Sequence, residues 1–369
     1  MIAGLENKRT FLRPSRLCHL SRLGVVLALT MYLSGCASLS LDVGYYWQSI
    51  SGHLAVLRAA RPIPELLAEP ELDAKLRGKL ELVREIRQFA TQSLGLPDNS
   101  SYTRYADLKR PFVLWNIFAT PELSMNLVNW CFPVAGCVSY RGYYAMEDAD
   151  RFAEGLRQDG LDVYVGGVPA YSTLGWFDDP VLSTFIQYPD AELARLIFHE
   201  LAHQVLYVQG DSLFNESFAT AVEEVGLQRW LATRQNAQQE GAFRQYAQRK
   251  QQFIDLLKKH RAELQRVFAQ ASADDEKRRG KAAVFEALQA DYRELKSSWG
   301  GWAGYDRWFG QKLGNPHLAS VATYTDAVPG FRRLLDANGH DLARFFAAAR
   351  ELAVQGKETR NLQLGVPAP

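Results

Sequence analysis

His199-Glu200-Leu201-Ala202-His203 sets two imidazoles four residues apart, with a carboxylate directly after the first. On a helix, that spacing brings both rings out of one face about a turn apart, where they can share a Zn²⁺ at Zn–N bonds of roughly 2 Å. Glu200 then sits beside the metal, where hydrolysis needs a base for the attacking water. Glu216, in Asn215-Glu216-Ser217-Phe218-Ala219, lies thirteen residues past His203. It can supply a third ligand and leave the fourth position open, as a catalytic His₂Glu site requires. Glu223 falls seven residues later on the same helix face. It can accept the free N–H of a zinc histidine or simply lie on a charged surface.

Leu193-Ala194-Arg195-Leu196-Ile197-Phe198 is strongly apolar, so the two histidines belong on a largely buried helix. Pro189-Asp190 is its start signal, with Asp190 as N-cap, and Gly210 its stop. A second helix is expected from about Asn215, carrying Glu216 in its first turn. Residues 41–95 read as helices interrupted at Pro62 and Pro64, followed by a turn at Pro97-Asp98-Asn99-Ser100. Aromatic and β-branched runs at 102–105, 111–118 and 137–144, a helix from Glu147 to Gln158 and a strand from Asp162 to Val168 predict a small mixed sheet ahead of the zinc helix. Pro180 to Ile186 reads as one more strand. From Trp230 to Ser298 the chain is helical and charged, with a break at Ala273-Asp274-Asp275 that makes it an antiparallel hairpin. Lys250 and His260 interrupt its apolar stripe, so the hairpin packs on the body and His260 is an interface residue. The remainder to about Leu352 is helical, and the tail is loose from Gly356.

The chain has 369 residues, 47% of them apolar, which is enough for a sizeable core. Net charge is +1 with no basic block outside the N-terminus, so nothing points to nucleic acid as a partner. Lys8, Arg9, Arg13, Arg16 and Arg22 precede an apolar stretch from Leu23 to Leu33, far short of the roughly 20 residues that span a bilayer. Leu33-Ser34-Gly35-Cys36 resembles a bacterial lipobox, which implies cleavage of residues 1–35 and lipidation of Cys36; an uncleaved anchor or plain secretory signal is the alternative. Ala37 after that cysteine implies, by the same resemblance, the outer membrane. Cys131 and Cys137 remain in an exported protein, and a disulfide is their simplest reading, with a reduced pair in the core as the alternative.

The two motifs together, with Gln204, Thr220, Glu223 and Gly226, resemble the aminopeptidase-N type of gluzincin metallopeptidase, although the loop between them is shorter here. The chain resembles more closely a bacterial family described as zinc aminopeptidases, many of them lipoproteins. Trp130 to Cys137, Tyr140-Arg141-Gly142-Tyr143 and Gly167 to Pro180 carry that likeness, which runs from about residue 40 to 350. It implies a predominantly helical α+β fold: a small mixed sheet packed on a zincin-type helix, with the long helical hairpin toward the C-terminus. One domain over 36–369 is expected, comprising N-terminal helices (36–100), sheet and zinc-site helices (101–230), hairpin (231–298), and C-terminal helices with a tail (299–369).

One departure bears on substrate. Aminopeptidase-N-type enzymes hold the substrate's free amine with a glutamate in a Gly-Ala-Met-Glu-Asn strand, and the nearest string here, Ala145-Met146-Glu147-Asp148, opens a helix instead. The resemblance also implies a tyrosine downstream of the ligands that stabilises the developing oxyanion. Tyr292, Tyr305 and Tyr324 are candidates; Tyr324 follows the hairpin where the chain can return to the site, or else packs on the core. Tyr171, Ser172 and Thr173 lie in a short run between Pro169 and Gly175 that reads as a substrate-binding edge strand or as a turn. Arg141 could clamp a carboxylate or serve a structural salt bridge. Two functions follow as expectations. One is a lipid-anchored, periplasm-facing zinc metallopeptidase acting on peptides, with one Zn²⁺. The other is a non-catalytic envelope lipoprotein with a structural zinc and the hairpin as a docking surface.

Overall fold

A computed structural model gives residues 43–132, 136–234 and 237–366, with the backbone alone at 237–239 and 322–325. The chain divides after Ile50, and everything below concerns the body that starts at Ser51. That body is predominantly helical α+β, with small sheets.

Its first elements are α1 (Val43–Ala59, running across the division), β1 (Ala60–Pro62), α2 (Ile63–Leu67) and α3 (Ala74–Leu94). Asp73 caps α3 by accepting the Leu76 N–H at 2.8 Å, and Gly95 ends it in the left-handed region. Two three-stranded sheets follow where one was expected. β1 pairs antiparallel with β2 (Arg104–Ala106), which runs parallel to β8 (Val181–Leu182). The second sheet has β3 (Leu114–Pro121) at its centre, between β6 (Arg141–Tyr143) and β7 (Leu161–Val168), both antiparallel to it. Asn116 to Thr120 of β3 are all buried, with α4 (Met146–Gln158) and α10 (Asn315–Thr325) both packed against the strand. A hairpin of β4 (Trp130–Phe132) and β5 (Gly136–Val138) pairs Cys131 with Cys137, and the two are joined by a disulfide.

The predicted strand over 180–186 shortens to Val181–Leu182, after which 183–187 form turns leading into α5 (Asp190–Val205). This helix carries the His-Glu pentapeptide and is buried on most of its circumference, from Leu193 and Ala194 to Leu201 and Ala202. Asp190 is not its N-cap. It is the first helical residue, and its carboxylate is drawn to Lys79 of α3 at 2.7 Å. Nor does Gly210 stop the helix, which ends at Val205; Gly210 takes a positive φ of 76° in the loop beyond.

The second motif lies on α6 (Ser212–Arg234), which starts three residues earlier than Asn215, so Glu216 falls in its second turn. α6 packs along α5, and Gly226 permits the approach: a Cβ there would meet Leu94 Cδ1 at 2.8 Å and Phe198 Cδ2 at 3.1 Å. The hairpin is α7 (Ala237–Ala269) and α8 (Asp274–Ser298). It has its own core, including Leu257, Leu264, Leu288 and Tyr292, closed by Phe309 of α9 (Asp306–Phe309) and Leu318 of α10. His260 is buried there, 2.8 Å from Asp291 across the hairpin. α11 (Val328–Ala337), α12 (Leu342–Ala353) and α13 (Lys357–Leu364) complete the main core around Phe218, Phe331 and Phe345.

Candidate metal centre

The loop between the motif helices spans only 206–211, and three side chains fix it. Asn215 accepts the Val208 N–H at 2.7 Å and donates to the Val208 carbonyl at 2.8 Å. Asp211 accepts from the Phe214 N–H at the start of α6 and receives two bonds from Arg360 of α13, at 3.0 and 2.6 Å. The Asn of the Asn-Glu motif is therefore the residue that turns Glu216 back onto α5.

His199, His203 and Glu216 offer one donor atom each within 4.8 Å of one another. The His199 and His203 Nε2 atoms lie 3.3 and 3.8 Å from Glu216 Oε2. A tetrahedral ion with bonds of roughly 2 Å spaces its ligands about 3.3 Å apart, so the three fit Zn²⁺ with a small closure. The imidazole states fit as well. Nδ1 of His199 faces Glu223 Oε2 at 2.8 Å; a carboxylate only accepts, so Nδ1 carries the proton and Nε2 points to the metal position. Burial lowers the His203 pKa to about 4 against the pull of Glu216, which keeps that ring neutral. Burial also works against a charged His199, but the hydrogen bonds and charges of Glu216 and Glu223 outweigh it and raise its pKa to about 10.

Glu223 is buried and is held in turn by Arg195 Nη1 at 2.8 Å, while Arg195 Nε bonds Glu192 Oε2 at 2.8 Å. Burial opposes its ionisation, yet Arg195 and His199 hold its pKa far below the usual carboxylate range. Of its two open readings, the one beside the zinc histidine matches this geometry. Arg195 had no signal in the sequence beyond its place in an apolar run.

The site opens on a cleft of about 550 Å³ whose wall includes His199, Glu200, His203 and Glu216. Glu200 is buried, and burial first, then the charges of Glu216, Asp179 and Glu223, raise its pKa to about 7, His199 opposing. Tyr164, Gly166, Gly167 and Val168 of β7 line the cleft beside Leu114 and Phe118 of β3, continued by Pro169 and Ala170, and among the described residues β7 pairs only with β3. Asn116 of β3 also lines it, with a buried Oδ1 that has no hydrogen-bond partner among the described residues.

Tyr171 and Ser172 line the cleft but Thr173 does not, and none of the three is in a strand. Of the two readings of this run, edge strand or turn, the turn matches the structure. Past β7, Asp179 Oδ2 accepts the Thr173 N–H at 2.8 Å and Leu174 takes a φ of 58°, which folds 171–174 into a loop. The Tyr171 hydroxyl is tied to His53 Nδ1 at 2.6 Å. Arg141 lies over Phe152, 4.5 Å from its ring centre, away from the cleft. Tyr292 donates to Asp306 and Tyr305 stacks on Phe253, so neither reaches the cleft. Tyr324 has its backbone in α10, and its side chain lies outside the described residues, as does Cys36. Tyr207, which went unnoticed in the sequence, lines the cleft four residues after His203; burial and then the Glu216 charge raise its pKa.

No curated protein and no solved structure matches the chain. A family model described as "Putative aminopeptidase" matches residues 44–364, and the chain belongs to that family.

Proposed function

We propose that the protein is a zinc-dependent metallopeptidase of aminopeptidase type, lipid-anchored at Cys36 and facing the periplasm. The observation that carries this reading is a His-His-Glu donor set on the wall of a cleft, with a buried carboxylate outside the set beside it. Zn²⁺ held by His199, His203 and Glu216 supplies a Lewis acid for the scissile carbonyl and a lowered pKa for the attacking water. Glu223 fixes the His199 tautomer, and Arg195 fixes Glu223. Glu200 accepts the proton of the attacking water and passes it to the leaving amine; a pKa brought toward neutrality suits both steps. The Tyr207 hydroxyl donates to the carbonyl oxygen as charge builds on it. The open edge of β7 binds the substrate backbone as an added strand, with Asn116 Oδ1 accepting a substrate N–H.

The test is cleavage of free and N-terminally acetylated peptides before and after metal removal by a chelator. The reading expects activity that zinc restores and stepwise loss of N-terminal residues from free peptides only. Internal cuts in both would make it an endopeptidase. A zinc-loaded protein inert on all of them would favour the structural-zinc docking lipoprotein.

A further inference from the structure

A second cavity, also about 550 Å³, lies on the far side of His199 between α5, α6, α7 and α11. Its apolar wall includes Leu227 of α6, Phe243 and Ile254 of α7, and Val328 of α11. Most charges around it are already matched: Arg332 makes a two-bond pair with Glu224, and Lys258 pairs with Asp326 at 3.2 Å. Two are not. Glu192 is buried, its Oε2 bonds Arg195, and its Oε1 has no hydrogen-bond partner among the described residues. Lys250, half-buried, has one described anionic neighbour, Glu223 Oε1, at 3.9 Å, beyond hydrogen-bond distance.

A buried carboxylate oxygen is seldom left without a donor, and an ammonium facing a cavity wants an acceptor. The cavity therefore offers one acceptor, one cation and an aliphatic surface, in a volume typical of small-molecule sites. We propose that it binds a small zwitterion with an apolar side chain, a free amino acid of the leucine type. The ligand's ammonium sits on Glu192 Oε1, its carboxylate on Lys250, and its side chain against Leu227, Phe243, Ile254 and Val328. The cavity lies behind the metal centre and shares Arg195 and His199 with the cleft.

Calorimetric titration of the zinc-loaded protein tests it, with L-leucine, N-acetyl-L-leucine and L-leucinamide as probes. Leucine should bind saturably, and each blocked analogue, lacking one charge, at least ten-fold more weakly. Ala247→Trp, which fills the cavity from α7, should abolish leucine binding at unchanged zinc content, and Lys250→Gln should weaken it at least ten-fold. The site is wrong if wild type shows no saturable leucine binding, if the analogues bind as well as leucine, or if binding survives Ala247→Trp. Because leucine and leucinamide can also enter an aminopeptidase cleft, the milder Lys250→Gln variant decides if the tryptophan variant does not fold: leucine binding as tight as wild type at equal zinc content would overturn the site.

Discussion

At the scale of single residues, each ionisable group of the centre has a task set by its surroundings, and substitutions separate the tasks. His199→Ala, His203→Ala and Glu216→Ala each remove a donor and should lose zinc on metal analysis of purified protein. Glu223→Gln keeps an acceptor for His199 Nδ1 but loses the charge that Arg195 holds. Zinc affinity should fall about 10–100-fold, as for other residues that orient a metal histidine. Tyr207→Phe should retain zinc and lower kcat about 10²–10³-fold, while Tyr324→Phe should leave kcat near wild type; the reverse pattern would return the oxyanion role to Tyr324.

Asp179 gives a pH test at the same scale. Burial, the largest influence, raises its pKa from 3.8 to about 6. The folded state therefore prefers the protonated form, and the ionised form costs stability above about pH 6, a cost that fades as pH falls toward 4. The gap corresponds to roughly 3 kcal/mol. Asp179→Asn can keep the Thr173 bond through its amide oxygen, so thermal melts should show a larger gain at pH 8 than at pH 5. Because the Asp179 charge also raises the pKa of Glu200, the acid limb of the kcat/KM profile should move to lower pH in the same variant.

At the scale of elements, the His-Glu helix, the helix after it, α4, β7 and the α7–α8 hairpin were legible in the sequence, because each has a long enough periodic run or a motif of fixed spacing. β1 and β4 were not, since three residues carry no period and these strands exist only through their partners. The N-cap assigned to Asp190 failed because Lys79, more than a hundred positions away, takes its carboxylate. Of the strand and turn readings of Tyr171 to Leu174 the turn holds, because Asp179 draws Thr173 into a loop. Tyr207 was missed because its place depends on the tight 206–211 loop. Arg360 pins that loop through the buried Asp211. Arg360→Ala leaves Asp211 charged and unpaired, and denaturant unfolding should show a loss of about 3–5 kcal/mol.

At the scale of the whole molecule, none of the described helices is long and apolar enough to cross a membrane. An anchor on Cys36 would then rest on acyl chains, each buried CH₂ contributing roughly 0.8 kcal/mol. Cys36→Ser should move the protein from the membrane fraction to the soluble one; continued membrane association with the N-terminal segment intact would refute lipidation. In the proposed mechanism Glu200 drives hydrolysis at a zinc it does not bind. The most direct test sets zinc-loaded wild type against Glu200→Gln on a mixed peptide library read by mass spectrometry, with zinc measured in both. The account predicts equal zinc and a rate at least about 100-fold lower in the variant. Equal cleavage rates at equal zinc content would contradict it.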